Sequence, residues 1–355
     1  MAETLQARIQ SILVEAWQQR GMLARALYPL ALVHAGWRSV LRAAHRMGLL
    51  RPTRLRVPVV VVGNLYVGGT GKTPLTIEVV RALKQRGWHP GVISRGYGGK
   101  VSTPQVVQPH SAAAVLGDEP LLIARAAGVP VVVGRNRVAA AELLLNLYPH
   151  VDVVVTDDGL QHLRLARDCE IAVIHYRGVG NGWLLPAGPL RDPPQRLDGV
   201  DAVVFHGETP VVRVYSPFFR MRTRVTRTYA LKDPSRQITL EDLAKEQAQN
   251  GTRLLAAAGI GMPDRFFAML RDYGLRFAEL PLGDHYDFAR NPFEGRVYDC
   301  CLITEKDAVK CALNQVLAAD GRICVVPLET EVDTGLFDLI EKRLRAATAS
   351  ATVAA

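Results

Sequence analysis

Short runs of β-branched residues alternate with longer segments whose apolar residues recur every three or four positions. Short continuous apolar runs are typical of buried parallel strands, and the longer periodic segments are typical of amphipathic helices. Strands are predicted near 57–63, 90–94, 129–133, 151–156, 170–175 and 201–205. Helices are predicted near 72–86, 119–127 and 136–148. This alternation predicts an α/β fold built on a doubly wound parallel sheet.

The pattern changes around residues 211–230, where two arginine-rich stretches alternate as strands do. A second α/β series starts at Arg253, with a strand over 254–258. It continues with a helix from Pro263, strands near 300–304 and 323–327, and a last helix near 334–347. A chain of 355 residues also exceeds the length at which single cores usually stop growing. We therefore predict three parts: a basic helical segment over 1–50, a core domain over 51–225, and a smaller α/β domain over 226–355.

The first predicted strand leads into a glycine-rich loop and then a helix, an arrangement that binds phosphate in many proteins. The residues predicted to surround the phosphates are Gly68, Gly69, Thr70 and Gly71. Lys72 would reach the outer phosphates of a nucleotide, and Thr73 would offer its hydroxyl to Mg²⁺. The loop departs from a strict Walker A motif, since Tyr66 stands five positions before the last glycine. It resembles instead the variant loop of ParA/MinD-like ATPases, although Val67 replaces their second lysine. The alternative is a plain glycine-rich turn beside a surface lysine.

Positive charge is concentrated at the start of the chain. Residues 1–56 contain nine arginines and two acids, a net charge of +7 out of +9 for the whole chain. Tryptophans and leucines are interleaved with these arginines at helical spacing, and Pro29 is expected to kink the segment or divide it in two. Arginines beside tryptophans suit a helix lying in an anionic membrane interface. A helical pair packed on its own domain and a nucleic-acid-binding segment are the alternatives.

The apolar runs and the cysteines indicate neither a membrane-spanning protein nor a disulfide-bonded secreted protein. No window reaches the ~18 uncharged apolar residues that a membrane-spanning helix needs. Five scattered cysteines without metal-ligand spacing indicate reduced thiols and a cytosolic protein. No cleavable signal peptide is expected, because charges break the first apolar stretch.

Candidate chemical residues follow the predicted strands, where open α/β sheets place ligand sites. Asp157 and Asp158 end a buried strand and could hold Mg²⁺ or substrate, or could only cap a helix. His162 could face the same site or make a structural hydrogen bond. Arg95 could pair with phosphate, and Tyr97 offers a flat face to a sugar ring.

Two further loops carry acids. Asp118 opens a predicted helix in Gly117-Asp-Glu-Pro120, where a capping role is the simpler interpretation. His285 lies between acids and aromatics in Gly283-Asp-His-Tyr-Asp-Phe288. An aspartate and a histidine that met in the fold would form a base able to accept a hydroxyl proton. The sequence patterns alone do not pair them.

Six motifs occur in the order typical of the tetraacyldisaccharide 4′-kinases, the family that phosphorylates the lipid A precursor, and the chain resembles that family from its basic start to at least Lys306-Asp307. The motifs are Val62-Gly-Asn with Val67-Gly-Gly-Thr-Gly-Lys-Thr-Pro74, Ser94-Arg-Gly-Tyr-Gly98, Gly117-Asp-Glu-Pro120, Asp157-Asp-Gly-Leu-Gln-His162, Leu185-Pro-Ala-Gly-Pro-Leu-Arg-Asp192 and Asp284-His-Tyr286. Any one of them would be weak evidence, whereas six in order are highly specific.

The resemblance implies a role for each matching residue. Lys72 and Arg191 would bind ATP, and Asp118 would be the catalytic acid/base working with His285 from the opposite wall of one cleft. The residues implied to hold Mg²⁺ are Thr73, Asp157, Asp158 and Asp192, the last standing where the family more usually has glutamate. The residues implied to contact the phosphosugar substrate are Arg95, Tyr97, Arg137 and His162.

The resemblance also implies a function. The expected reaction transfers the γ-phosphoryl group of ATP to the 4′-hydroxyl of tetraacyldisaccharide 1-phosphate and gives lipid IVA. The expected fold is a P-loop NTPase-like core with a second α/β domain and a basic helix docked peripherally on the cytoplasmic face of the bacterial inner membrane. Neither nucleic acid nor an obligate protein partner is expected. The alternatives are a ParA/MinD-like ATPase switch, which would dimerise with nucleotide and take no small acceptor, and an ATPase that polynucleotide stimulates.

Overall fold

The computed structural model describes residues 15–96, 99, 101–108, 111–207 and 212–354, so that Tyr97 lies outside the described residues. The chain divides into two compact units. Unit 1 comprises the described residues of 1–93, 137–221 and 332–355. Unit 2 comprises those of 94–136 and 222–331.

Strands and helices alternate through most of the described residues. The strands are β1 (Val59–Asn64), β2 (Pro90–Ser94), β3 (Gln105–Val106), β4 (Val131–Val133), β5 (Val153–Asp157), β6 (Cys169–His175), β7 (Ala202–His206), β8 (Phe218–Arg224), β9 (Arg227–Ala230), β10 (Gln237–Thr239), β11 (Leu254–Ala258), β12 (Phe277–Pro281), β13 (Cys300–Thr304), β14 (Ile323–Val326) and β15 (Glu329–Val332). The α-helices are α1 (Met22–Arg46), α2 (Lys72–Gln85), α3 (Ala113–Leu116), α4 (Asp118–Ala127), α5 (Arg137–Leu147), α6 (Leu240–Asn250), α7 (Pro263–Arg271), α8 (Glu305–Cys311), α9 (Gln315–Ala319) and α10 (Gly335–Ala354). A 3₁₀ helix spans Pro194–Gly199.

Six parallel strands form the sheet of unit 1, in the order β8-β7-β6-β1-β5-β2. Every residue of β1, β5, β6 and β7 is buried, as expected for central strands covered on both faces. Val62 of β1 lies opposite Asp157 of β5 in the register. The acid that ends β5 therefore lies beside the point where β1 runs into the glycine loop.

Unit 2 has its own sheet, in the order β10-β9-β14-β13-β11-β12. β12, β11, β13 and β14 are parallel, whereas β9 pairs with β14 and β10 in the antiparallel sense. Outside this sheet, α4 packs on α8, and Leu121 and Val309 share one small apolar cluster. That packing brings the first residue of α4 close to the lysines of α8.

Helix α1 is continuous and largely exposed along its apolar side. Pro29 lies inside it, so the segment is not divided in two there, and the kink predicted as the other possibility stays a prediction. Its exposed apolar residues include five that are between 54% and 72% exposed, namely Leu30, Leu32, Val33, Trp37 and Val40. Within the described residues, no helix combines the length and the apolar character needed to cross a bilayer.

The α/β fold predicted from the sequence is confirmed. The two compact units change over at four places, one of them between residues 221 and 222, and the predicted domain boundary at 225 stays a prediction. They differ from the predicted domains at two places. The last helix, α10, belongs to unit 1, because Arg86 binds Asp338 and Glu341 of that helix. Residues 94–136 belong to unit 2, because α4 packs on α8.

Candidate active site

At one position of the glycine loop between β1 and α2, the backbone conformation and the close neighbours allow only glycine. Gly71 has a φ of +95°, and a Cβ built there would lie 2.5 Å from Nδ1 of His206 and 2.8 Å from Cε of Met221. Gly68 also has a positive φ, of +105°. A Cβ at Gly68 or Gly69 would meet nothing within 4 Å, so this part of the loop is open. The open glycines and the start of a 14-residue helix suit an anion.

Thr70 fastens the loop to the sheet. Nδ2 of Asn64, the last residue of β1, donates hydrogen bonds of 2.6 Å to Oγ1 of Thr70 and to the carbonyl of Tyr66. Nδ1 of His206 lies 3.0 Å from the carbonyl oxygen of Thr70. Because Asn64 and His206 come from β1 and β7, two strands hold the loop before any ligand binds. No sequence pattern singled out His206.

Asp158 lies between two cations. Its backbone is left-handed, with a φ of +57°. Arg191 donates hydrogen bonds of 2.9 and 2.8 Å to Oδ2 and Oδ1, and Nζ of Lys72 lies 4.0 Å from Oδ1. Burial raises the pKa of Asp158, but Lys72 and Arg191 outweigh it and lower the pKa to about 2. The carboxylate is therefore ionised at neutral pH and keeps Lys72 close to the glycine loop.

Asp157 lies fully buried at the end of β5, where its Oδ1 accepts a hydrogen bond of 3.1 Å from Oγ1 of Thr76. Thr73 lies one turn earlier in α2. Hydroxyl and carboxylate oxygens are the ligands that Mg²⁺ prefers, and Mg²⁺ is usually held by one or two carboxylates plus phosphate oxygens. Thr73, Asp157 and Asp158 fit that donor set. Among the described residues no group of three His, Cys, Asp or Glu side chains could by itself hold a metal ion.

His162 lies in the loop after β5 and is neutral at physiological pH. Burial lowers its pKa, and the charges of Arg137, Arg167 and Arg164 lower it further, to about 4. Arg137 begins α5 and is 3% exposed, and its charge also helps to lower the pKa of Asp158. A substrate-binding role for His162 and Arg137 stays a prediction.

Asp192 is bound by the N-terminal helix. Arg38 donates hydrogen bonds of 2.7 and 2.9 Å to its two carboxylate oxygens, and Arg42 donates one of 2.9 Å. Nε2 of Gln161 lies 3.1 Å from Oδ2. The metal role predicted for Asp192 stays a prediction, and side chains of the protein bind both of its carboxylate oxygens, as Arg191 does for Asp158. Arg38 and Arg42 face the protein rather than a lipid surface.

In unit 2 the structure brings Asp118 and His285 together. Nδ1 of His285 lies 2.9 Å from Oδ2 of Asp118, which is 4% exposed. His285 has a left-handed backbone, with a φ of +61°, and its loop follows β12. The two residues belong to the same compact unit, and the expectation that their loops form opposite walls of one cleft stays a prediction.

Two lysines of α8 also reach Asp118. Nζ of Lys310 lies 3.1 Å and Nζ of Lys306 lies 3.9 Å from the same Oδ2 atom. Burial raises the pKa of Asp118, but the hydrogen bond from His285 and the charges of both lysines outweigh it, so that the pKa lies below the usual value. Neither lysine was predicted from the sequence to have a role. The spacing of four residues in Lys306-Asp-Ala-Val-Lys310 would have placed both on one face of a helix.

Arg95 is exposed at the end of β2, and its predicted phosphate contact stays a prediction. Tyr97 lies outside the described residues.

The parallel sheet, the glycine loop before α2 and the acids that end β5 define a P-loop NTPase-like nucleotide-binding protein. The family model described as tetraacyldisaccharide-1-P 4′-kinase, LpxK, matches residues 23–345. The chain belongs to that family.

Relatives over nearly the full length agree. A tetraacyldisaccharide 4′-kinase of Janthinobacterium sp. (strain Marseille) is 50% identical over 339 residues, covering 96% of this chain and 97% of the relative. One of Herminiimonas arsenicoxydans is 46% identical over 344 residues, covering 95% and 96%. The crystal structure of the "apo" form of LpxK from Aquifex aeolicus in complex with ATP has a TM-score of 0.74 and 27% identity, and it covers 91% of this chain and 100% of that one. The resemblance inferred from the six motifs, and with it the class of enzyme, is confirmed.

Proposed function

We propose that this protein transfers the γ-phosphoryl group of ATP to the 4′-hydroxyl of tetraacyldisaccharide 1-phosphate and gives lipid IVA. Family membership supports the reaction, and the complex of the Aquifex aeolicus protein with ATP supports the donor. One observation carries the choice of a kinase over an ATPase switch. Asp118 is a buried, ionised carboxylate bonded to a histidine, which a transfer to a hydroxyl needs and a nucleotide switch does not.

Lys72 neutralises charge on the transferring group. Thr73, Asp157 and Asp158 are the residues that would hold Mg²⁺, which would supply further positive charge to the phosphates of ATP. Arg191 and Lys72 already flank Asp158, so a nucleotide meets both cations at the loop. Transfer of a phosphoryl group depends mainly on positioning and on stabilising charge, and these groups supply both.

Asp118 accepts the proton of the attacking hydroxyl. The hydroxyl oxygen bonds to the γ-phosphorus as the bond to the bridging oxygen of ADP breaks, and the proton passes to the carboxylate. His285 orients that carboxylate. The residues that would contact the phosphosugar substrate are Arg95, Tyr97, Arg137 and His162.

Helix α1 attaches the enzyme peripherally to the cytoplasmic face of the inner membrane, where an acylated substrate resides. Its exposed apolar residues, Trp37 and Val33 among them, would enter the interface between headgroups and acyl chains. Exposed arginines of the same segment, such as Arg25 and Arg46, would meet anionic headgroups.

The release of ADP tests the proposal against its alternatives. With Mg²⁺ and detergent, we expect tetraacyldisaccharide 1-phosphate to increase the rate of ADP release many-fold over the rate with ATP alone. Polynucleotide should leave the rate unchanged. ADP release that is independent of the lipid, together with dimerisation on ATP binding, would favour the ATPase switch.

A further inference from the structure

The carboxylate of Asp118 is bound at only one of its two oxygens. His285 and Lys310 both bond to Oδ2, at 2.9 and 3.1 Å. Among the described residues, no hydrogen bond reaches Oδ1. An ionised carboxylate has about four lone-pair directions, and here the protein occupies those of one oxygen. Oδ1 is therefore the oxygen that is available to accept a proton.

Lys310 is the more deeply placed of the two lysines around Asp118. Its side chain is 3% exposed, against 21% for Lys306. Lys306 lies farther from Asp118, at 3.9 Å, and shares its charge with Asp284, whose Oδ1 is 3.5 Å away. The attraction between opposite charges grows as water is excluded and as the distance falls. Lys310 therefore stabilises the ionised carboxylate of Asp118 more than Lys306 does.

A second buried acid holds Lys310 in place. Oδ1 of Asp307 lies 3.8 Å from Nζ of Lys310. The other oxygen of Asp307 accepts hydrogen bonds from Oγ1 of Thr304, at 2.7 Å, and from the backbone N–H of Gly259, at 3.0 Å. The ring of Phe288 lies 5.8 Å from the same ammonium group. β11, β13 and α8 thus fix the lysine before any substrate binds.

We infer that Lys310 is a positioning residue of this reaction, which binds Oδ2 of Asp118, keeps the carboxylate ionised and leaves Oδ1 as the proton acceptor. The inference rests on the proposed function of Asp118. Lys310 does not touch the substrate, and it acts through the charge and the orientation of the base. His285 binds the same oxygen from the loop after β12, and Asp284 beside it lies 3.8 Å from Nε2 of His285. His285 and Asp284 are present in the wild type and in the lysine variants alike. A difference in pH dependence between wild type and variant is therefore due to the lysine.

The pH profile of kcat/KM for the lipid acceptor tests the inference, because that profile reports the groups of the free enzyme. Lys310→Met removes the charge at similar volume. The acid limb should move up by about 1–2 pH units, and activity should recover above it. Lys310→Arg should keep the wild-type limb, and Lys306→Met should move it less than Lys310→Met. Lys245→Met, which removes an exposed cation paired with Asp242 in the same unit, is the matched control and should leave the limb in place.

A measurement without substrates separates this inference from the proposed function. The carboxyl carbon of Asp118 can be followed by ¹³C NMR as pH changes, in wild type and in Lys310→Met. An upward shift of its titration in the variant supports the role of Lys310 even if the enzyme transferred no phosphate. An unshifted titration and an unshifted acid limb in the folded variant would overturn the inference while leaving the kinase assignment intact. If Lys310→Met does not fold, Lys310→Gln, which keeps a hydrogen-bond donor without the charge, takes the same two measurements with the same two outcomes.

Discussion

Nδ1 of His285 lies 2.9 Å from Oδ2 of Asp118, although 167 positions separate the two residues in the chain. The packing of α4 on α8 and the loop after β12 bring them together within unit 2. Asp118 is also the first residue of α4, and a sequence-based interpretation would make it a helix cap. Among the described residues its side chain makes no capping hydrogen bond, and its carboxylate contacts His285 instead.

A double-mutant cycle measures whether the two residues act as one unit. Asp118→Ala and His285→Ala should each lower kcat/KM for the lipid acceptor, and the double variant should lose little more than the worse single variant. The Kd for ATP should change little in all three variants. If the two losses in activation free energy add, the pair does not act as one unit.

Lys72→Ala should lower kcat by about 10²–10³-fold, because the substitution removes a positive charge beside the transferring phosphoryl group. The thermal midpoint should remain close to wild type, since Lys72 lies at the start of α2 and fills no core position. Lys84→Ala, at the other end of the same helix, is the matched control and should keep full activity. Equal activity of the two variants would refute the assignment of the phosphate loop.

His162 makes the stability of the protein depend on pH. An unfolded histidine gains a proton near pH 6.5, whereas burial and nearby arginines lower the pKa of His162 to about 4. The unfolded state therefore binds more protons between these values, and the free energy of unfolding falls as pH drops from 6.5 to 4. His162→Gln should flatten this fall in urea titrations, whereas His150→Gln, at an exposed histidine of the same unit, should not. A steep fall that persists in His162→Gln would show that other groups cause it.

Helix α1 should bind membranes through its exposed apolar residues. Val33→Ser with Trp37→Ser should weaken binding to vesicles that contain anionic lipid by at least about tenfold, because the two side chains lose apolar area buried in the interface. Val297→Ser with Val316→Ser changes two equally exposed apolar residues, 73% and 68% exposed, and should have no effect. Equal binding by both double variants would mean that the attachment lies outside α1.

Periodicity predicted the parallel core well, because a buried strand in such a sheet is apolar at every position. β1, β5, β6 and β7 were all predicted within about two residues of their bounds. Short elements were missed where the signal is weak. Helix α8 has only seven residues, and its one buried lysine, Lys310, interrupts the apolar pattern that would have marked it.

The glycine loop and the acids at the end of β5 could be located from the sequence, because the loop follows one predicted strand and Asp157 ends another. The charged partners of Asp158 and Asp192 could not be predicted from the sequence. Arg191 binds Asp158 from 33 positions away, and Arg38 binds Asp192 from 154 positions away. Ion pairs between residues far apart in the chain produce no periodic pattern in the sequence, because the tertiary fold alone decides which arginine lies near which acid.

The transfer of ³²P from [γ-³²P]ATP to tetraacyldisaccharide 1-phosphate, followed by location of the new phosphate on the sugar, tests the central claim most directly. With Mg²⁺ and detergent, wild-type protein should place label in a lipid whose new phosphomonoester is at the 4′ position. Asp118→Ala should bind ATP and label the lipid far more slowly. Absence of labelled lipid from folded, ATP-binding wild-type protein across varied Mg²⁺ and detergent conditions, or label at another hydroxyl, would contradict the account.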